Sequence, residues 1–205
     1  MAQWGWQFSL ALAAVGLTAC GSGGGALLER LDERAGMTLV RGREPLVFAR
    51  TEPRYSRSAR DYVYIGPIET NRQGVHEYYL WVGIATTLDR GFLAPAAVAP
   101  NMLYVNVGGE PMELPLRPWR ELVPTGFSKP IYATAVAVHE ELAARVTLQQ
   151  LTLIDAAPLE AVALGVAAQP APRPYVRWHD DGGFGEFLEE VRLLAGQSNV
   201  CIIEQ

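Results

Sequence analysis

Two apolar and aromatic runs in the middle of the chain flank a short polar turn. The first run covers residues 61–70 and the second covers residues 75–88. Between them lies Asn71-Arg72-Gln73-Gly74, and an Asn and a Gly in a short connection are typical of a β-hairpin. This pattern therefore predicts two long antiparallel strands joined by a tight turn.

A second hairpin is predicted further along the chain, where Gly108-Gly109 separates two shorter runs. These runs cover residues 103–107 and 111–116, and a Gly-Gly pair favours a tight turn in which both residues take positive φ. The second run contains Pro111 and Pro115, which cannot donate a backbone hydrogen bond to a neighbouring strand. We therefore expect it to lie at the edge of a sheet.

The remaining runs give a mixture of strand and helix signals. Residues 139–154 fit either a helix or a strand, and Thr147 with Gln150 is able to cap a short helix. Residues 26–34 place three leucines at helical spacing before Gly36, which predicts a short helix. Short apolar runs bounded by glycine, proline or charge predict further strands at residues 37–41, 45–50, 131–138, 161–167 and 175–178.

The most regular helical pattern lies near the C-terminus. Asp180 or Asp181 is expected to cap the start of this helix and Gly196 to end it. Acidic residues occupy the side opposite an apolar stripe, which predicts an amphipathic helix packed on a core. The stripe consists of Phe184, Phe187, Leu188, Val191, Leu194 and Ala195.

Together these elements predict an α+β fold, in which a mainly antiparallel β-sheet, sandwich-like or an open barrel, carries a C-terminal amphipathic helix. The chain has 205 residues, of which 49% are hydrophobic and 19% are charged. These values are typical of one packed globular domain. A formal net charge of −5 and the lack of a dense basic cluster argue against nucleic-acid binding.

The first 28 residues contain no charged side chain, and a run of small and apolar residues covers positions 8–19. That length is typical of the apolar region of a signal peptide and is short for a membrane-spanning helix. The run ends at Leu17-Thr18-Ala19-Cys20, which resembles the lipobox of bacterial lipoproteins, and the glycine-rich stretch Gly21–Gly25 follows it. An uncleaved anchor and a buried N-terminal segment are the two alternatives.

The resemblance to bacterial lipoproteins implies a lipid anchor on Cys20. In that family the cysteine thiol carries a diacylglyceryl group, the chain is cut before the cysteine, and the new amino group is acylated. The implied parts are a signal peptide (1–19), a lipidated cysteine with a tether and short stalk (20–35), and a single β-rich domain (36–205). This domain resembles those of other proteobacterial envelope lipoproteins. In a Gram-negative cell, Gly21 after the cysteine implies anchoring in the outer membrane, facing the periplasm.

Cys201 is the second of two cysteines in the chain. Lipidation of Cys20 would leave it without a partner inside the molecule. We expect it to be a half-buried strand residue; an intermolecular disulfide and a reactive thiol are the alternatives.

The chain offers few groups for catalysis. Its histidines are His76, His139 and His179, and no phosphate-binding loop, dinucleotide-binding motif or nucleophile elbow occurs. The stretch His179-Asp180-Asp181 could bind a divalent cation or cap the following helix, and capping is the favoured interpretation. We therefore expect no enzymatic activity, no metal site and no cofactor.

Aromatic residues of the first hairpin are the candidate ligand-binding residues. Tyr62 and Tyr64 share one face of the first strand, and Tyr79 and Trp81 share one face of the second. The register of the hairpin decides whether these two faces coincide. An exposed aromatic face could bind a glycan or an extended peptide, whereas a buried one would build the core through cross-strand pairs.

The expected function is that of a membrane-tethered periplasmic lipoprotein acting as a non-enzymatic binding or scaffolding component of the cell envelope. The lipid anchor would provide its membrane contact, and an envelope protein would be its partner. One alternative is a ligand- or glycan-binding lipoprotein that uses the aromatic hairpin face. The other is a metal-dependent envelope hydrolase.

Overall fold

The computed structural model describes residues 27–88, 99–127, 129–156, 161–166, 174–179 and 183–200; for residues 179 and 194–200 it describes the backbone alone. Eleven strands and three helices lie within these ranges. The strands are β1 (Leu27–Asp32), β2 (Met37–Gly42), β3 (Leu46–Thr51), β4 (Arg60–Arg72), β5 (Val75–Thr86), β6 (Met102–Val107), β7 (Glu110–Pro115), β8 (Arg117–Pro118), β9 (Val138–Val146), β10 (Ala161–Gly165) and β11 (Tyr175–His179). The helices are α1 (Trp119–Leu122), α2 (Leu148–Ala156) and α3 (Gly183–Val200).

The described strands form one antiparallel sheet. Its strand order is β7-β6-β10-β11-β3-β4-β5-β9-β8, and β2 and β1 extend from β4 as a branch. The predicted α+β fold, with a mainly antiparallel sheet and a C-terminal helix, is confirmed.

Both predicted hairpins are present. The turn between β4 and β5 places Gln73 at φ 53° and Gly74 at φ 86°, and the turn between β6 and β7 places Gly108 at φ 61° and Gly109 at φ 94°. Positive φ at both central residues gives the turn a twist that matches that of the two strands. Strand β7, which contains Pro111 and Pro115, lies at one end of the strand order, so its predicted edge position is also confirmed.

The sheet curls into a nearly closed barrel. Strands β7 and β8 lie at opposite ends of the strand order, yet Leu116 alone separates them in the chain. One residue spans only about 3.5 Å, so the two ends of the sheet must come close together. The backbone N–H of Leu116 donates to the carbonyl of Asn101 at 2.8 Å, which fastens this junction beside β6.

Strand β4 is the longest strand and connects the barrel to its branch. One edge of β4 pairs with β5 from Asp61 to Arg72. The other edge pairs first with β3, up to Ile65, and then with β2, from Ile68 onwards. Pro67 lies in the gap between the part of β4 that pairs with β3 and the part that pairs with β2. Because no backbone hydrogen bond to either strand is needed there, a residue without an N–H is tolerated.

Apolar side chains fill the space inside the barrel and also cover part of its outer surface. The inner core contains Phe48, Ile65 and Val82 from the strands, together with Leu151 from α2 and Phe187 from α3. The apolar stripe of α3 therefore packs as predicted at the positions whose side chains are described. The second cluster lies on the opposite face of the sheet, which we call the outer face.

The helix predicted over residues 26–34 is wrong. Residues 27–32 form strand β1, which pairs with β2 along its full length. Leu28 and Leu31 are 39% and 65% exposed, so the leucines do not form the buried stripe of a helix. Backbone pairing with β2 outweighs the local helical spacing, as tertiary context commonly does for short segments.

The strand predicted over residues 131–138 is also wrong, because β9 begins only at Val138 and irregular chain with bends precedes it. Residues 139–154, which fitted either a helix or a strand, divide between β9, which ends at Val146, and α2, which begins at Leu148. Thr147 and Gln150 form the predicted capping box, with Gln150 N donating to Thr147 Oγ1 at 3.1 Å and Thr147 N donating to Gln150 Oε1 at 2.9 Å.

The predicted end of helix α3 at Gly196 is wrong, because the helix continues to Val200. A glycine inside a helix costs about 1 kcal/mol relative to alanine and is tolerated. The predicted capping residues Asp180 and Asp181 and the predicted strand residue Cys201 lie outside the described residues.

A buried carboxylate fastens β1 to the segment that follows α1. Asp32 is 4% exposed, and its side chain accepts hydrogen bonds from the backbone N–H groups of Arg34, Ala35 and Gly126. The bond from Gly126 is the main cause that lowers the pKa of Asp32 below the usual 3.8. This side chain is therefore ionised at neutral pH and joins positions 94 residues apart.

We expect Asp32→Asn to lower the free energy of unfolding at neutral pH, because a neutral amide oxygen accepts these bonds more weakly than a carboxylate. The folded-state pKa is lowered, so this stability is fully present above the unfolded-state pKa and is lost as the pH falls through the folded-state pKa. Urea unfolding at neutral pH and at about pH 3 measures the effect.

The difference between Asp32→Asn and the wild type should be smaller at the acidic pH, because that pH lies below the usual carboxyl pKa of 3.8, where the stability contributed by Asp32 is already being lost. Glu33→Gln, which changes the exposed neighbouring carboxylate, is the matched control and should leave stability nearly unchanged. A deficit in Asp32→Asn that is equal at both pH values would contradict the assignment.

Candidate functional site

The four aromatic residues singled out in the first hairpin lie on one face of the sheet. Tyr64 is paired with Gly83 and Gly66 with Trp81, and residues directly opposite in an antiparallel pair project from the same face. The register therefore brings Tyr62, Tyr64, Tyr79 and Trp81 together on the outer face. The pairing thus shows that the aromatic faces of the two strands coincide, which the sequence left open.

Three of these four side chains are buried. Tyr64, Tyr79 and Trp81 are 2%, 3% and 0% exposed. The chain from α1 to β9 covers them, with Trp119 edge-on to Tyr79 at 6.0 Å between ring centroids and Tyr132 5.1 Å from Trp81. Tyr79 and Trp81 are thus core side chains, and a ligand has no access to them in this structure.

Two glycines make room for this aromatic layer. A Cβ atom on Gly83 would lie 2.4 Å from the Trp81 ring, and one on Gly66 would lie 2.4 Å from the Tyr132 ring. Real Cβ atoms do not approach so closely, so each ring packs directly against glycine backbone. The glycines in these strands serve close packing of aromatic rings against the sheet.

Hydrogen bonds fix the covering segment to the sheet. Tyr132 donates to the carbonyl of Pro67 at 2.6 Å, and the backbone N–H of Val136 donates to the Tyr64 hydroxyl at 3.2 Å. Glu141 of β9 accepts from the backbone N–H of Ile131 at 3.4 Å and from Trp81 at 3.2 Å. Burial raises the pKa values of the Tyr64 and Tyr132 hydroxyls. These hydroxyls remain protonated at neutral pH, so they act as structural groups.

The pKa of the Tyr79 hydroxyl is raised to about 12, first by burial and then by its hydrogen bond to Glu77. Glu77 in turn accepts a hydrogen bond from Arg145 of β9. This polar group closes the outer layer at the end of the hairpin. The Tyr79 hydroxyl therefore remains protonated at neutral pH.

Tyr62 is the one member of the predicted set that reaches the surface, where Trp178 completes the site. Tyr62 is half-buried and stacks on Tyr64 with 6.2 Å between centroids and 19° between planes. Trp178 in β11 is 57% exposed. The register of β11 against β3 shifts between Arg177 and His179, so Trp178 lies at an irregularity of the sheet, where bulges commonly redirect a side chain.

Trp178 stands between two open grooves on the outer face. The first has a volume of about 260 Å³ and is lined by Glu44, Pro45, Val47, Tyr62, Tyr64, Trp178 and residues 133–136. The second has a volume of about 550 Å³ and is lined by Ala49, Arg50, Thr51, Arg60, Pro174, Val176, Arg177 and Trp178. We call the two together the Trp178 groove. Sequence reasoning did not select Trp178, because no local pattern shows which tryptophan is exposed.

The Trp178 groove is bordered by positive charge. The Arg60 guanidinium lies 4.9 Å from the centroid of the Trp178 ring. The loop between β3 and β4 carries Arg54, Tyr55 and Arg57, all exposed. At its base the buried Asp61 accepts bonds from Arg50 at 3.1 Å and from Thr86 at 2.8 Å, which fixes where the loop begins and ends.

Other candidate chemistry remains dispersed. The Nδ1 atom of His76 lies 2.5 Å from a carboxylate oxygen of the buried Glu69, while His139 is exposed on β9. His179 ends β11, but its side chain lies outside the described residues, as do Asp180 and Asp181. Among the residues that the structure describes, no three His, Cys, Asp or Glu side chains are arranged to hold a metal ion.

The N-terminal candidate Cys20 lies outside the described residues. In the described part of the chain, no helix has both the length and the apolar character needed to cross a bilayer.

The burial of the two side chains predicts that two tryptophan substitutions lower stability by very different amounts. Trp81→Ala should lower the free energy of unfolding by about 3–5 kcal/mol, since it leaves a cavity under Tyr132. Trp178→Ala should cost less than about 1 kcal/mol, since it removes an exposed ring and one cation–π contact. Urea denaturation of the two variants and the wild type measures this difference, and equal losses would contradict the placement of the two rings.

Comparisons with known proteins give no match. No protein-family model matches the chain, and no curated protein or solved structure is significantly similar to it. Residue chemistry on the outer face and in the N-terminal segment is therefore the basis on which a function can be assigned.

Proposed function

We propose that this chain is a lipid-anchored, non-enzymatic binding protein of the bacterial envelope, and that it binds an acidic oligosaccharide in the Trp178 groove. Cys20 would carry the anchor, through the lipobox that ends at that residue. In a Gram-negative cell this places the domain on the periplasmic side of the outer membrane. The observation that carries the proposal is the exposed Trp178 standing between two grooves on a rigid sheet.

The flat, exposed ring of Trp178 suits a sugar. One face of a pyranose ring presents C–H groups, which carry slight positive charge and pack on the electron-rich face of an aromatic ring. The two grooves give a chain of several sugar units room on both sides of the tryptophan. A β-strand carries Trp178, and sites on such elements hold their geometry better than sites on loops.

Positive charge selects an acidic ligand. Arg54 and Arg57 are exposed in the loop beside the groove and Arg60 lies at Trp178, whereas the chain as a whole has a formal charge of −5. Arginine binds carboxylates through two parallel hydrogen bonds. Glu44 lines the first, smaller groove, and its negative charge would repel an acidic group there. We therefore expect the acidic groups of the ligand to lie in the second groove, near β11 and the loop between β3 and β4.

The segment that joins Cys20 to the folded domain is short. Seven residue steps separate Cys20 from Leu27, the first residue of β1, and an extended chain of that length spans at most about 25 Å. A domain held this close to a membrane meets envelope glycans at high effective concentration.

The lipid anchor is tested by the intact mass of the protein extracted in detergent from its native membranes. We expect the mass of a chain beginning at Cys20 plus a diacylglyceryl and an acyl group. Cys20→Ser should abolish the added mass and leave residues 1–19 in place. An unmodified full-length mass in the wild type would contradict the anchor.

Ligand binding is tested by titrating the full chain, in neutral detergent, with an oligosaccharide of uronic acid and with a neutral one of equal length. We expect the acidic oligosaccharide to bind more tightly, and Trp178→Ala to weaken its binding at least about tenfold, or 1.4 kcal/mol. Leu193→Ala, which changes an exposed apolar residue of α3 that is 65% accessible, is the control and should bind normally. No binding by the wild type, or unchanged binding by Trp178→Ala, would refute the glycan assignment.

A further inference from the structure

Two arginines lie side by side on the outer face of the β1–β2 branch, away from the Trp178 groove. Arg41 of β2 is paired with Leu28 of β1, and Arg30 of β1 is paired with Leu39 of β2. The two arginines are therefore diagonal neighbours on one face, with about 7–8 Å between their positions in the sheet. Side chains as long as arginine can converge from such positions.

Aromatic rings hold both guanidinium groups in place. The Arg30 guanidinium lies 4.0 Å from the centroid of Phe127, and that of Arg41 lies 4.7 Å from the centroid of Tyr132. Both rings come from the segment that covers the outer face. Stacking of this kind orients a guanidinium group and leaves the hydrogen-bond donors at its edge available to a ligand.

The hydrogen bonds of Arg41 leave part of its charge uncompensated. Its Nη1 donates to the carbonyls of Gly42 and Arg43 at 2.8 and 2.9 Å, while its Nε is buried without a partner. Within the described residues, neither Arg30 nor Arg41 has a carboxylate in ion-pair distance. Asp32, on the same face of β1, is engaged by three backbone N–H groups.

The charges of Arg30 and Arg41 lower the stability of the folded state when no anion lies beside them. Burial is the main cause that lowers the pKa of Arg41, and the positive charge of Arg30 lowers it further. Two like charges beside each other, one of them half-buried, destabilise the folded state unless a negative group joins them. Lys129, exposed two residues after Phe127, is a positive charge of the covering segment itself.

We propose that Arg30 and Arg41 form a binding site for a phosphate group. A tetrahedral phosphate has enough oxygens to accept hydrogen bonds from two guanidinium groups at once, whereas a carboxylate is saturated by one fork. The phosphate belongs either to a lipid headgroup or to a free phosphorylated molecule. The site is separate from the Trp178 groove and does not depend on the function proposed for that groove.

The test uses the full chain, labelled with ¹⁵N, in neutral detergent micelles, and follows the Nε–H resonances of arginine. In the first series sodium phosphate is titrated, with sodium chloride of equal ionic strength as the control. In the second series phosphatidylglycerol is titrated, with phosphatidylcholine as the control. We expect a saturable shift of the Arg30 and Arg41 signals. Arg30→Gln and Arg41→Gln should each weaken binding at least about tenfold, since each removes charge-assisted hydrogen bonds.

Arg117→Gln, an exposed arginine of β8, is the matched control and should bind like the wild type, as should Trp178→Ala. If Arg41→Gln fails to fold, Arg30→Gln still tests the site. The described contact of the Arg30 guanidinium is with the Phe127 ring, so its loss should disturb folding less. A response to phosphate supports a free phosphate group as ligand, and a response to phosphatidylglycerol alone supports a lipid headgroup. No response to either, or a response that both glutamine variants retain, overturns the site.

Discussion

Strands β4 and β5 are apolar on both faces, and this constraint shapes the rest of the molecule. Val63, Ile65, Leu80 and Val82 point into the barrel, while Tyr64, Ile68, Tyr79 and Trp81 point outwards. A sheet buried on both sides needs a layer against each face. Curling of the sheet around α2 and α3 provides the first layer, and the chain between β8 and β9 provides the second.

The outer layer defines where the surface of the protein is available for binding. It covers the centre of the hairpin through Trp119 and Tyr132, which removes Tyr79 and Trp81 from solvent. At its margins, arginines lie over aromatic rings, with Arg60 at Trp178 and Arg41 at Tyr132. Both proposed binding sites lie at these margins, where arginines pack on rings that are not fully buried, with Arg60 on Trp178 and Arg30 on Phe127.

Features that depend on neighbouring residues were predictable. Gly74 and Gly108-Gly109 identified the two hairpin turns, since positive φ is a local requirement. The spacing of Phe184, Phe187 and Leu188 predicted α3, since helical periodicity is written directly in the chain. Thr147 and Gln150 indicated the capping box for the same reason. The mainly antiparallel α+β class followed from these elements together.

Features that depend on distant partners were not predictable. Strand β1 replaced the expected helix because its backbone pairs with β2, and residues 131–138 lost their expected strand because Tyr132 packs on Gly66.

The amino-acid sequence by itself determined the two hairpin turns, the capping box at Thr147, helix α3 and the mainly antiparallel class, because these depend on neighbouring residues. Only the tertiary structure decided that Trp81 is buried and Trp178 exposed, because exposure depends on which segment packs over a side chain.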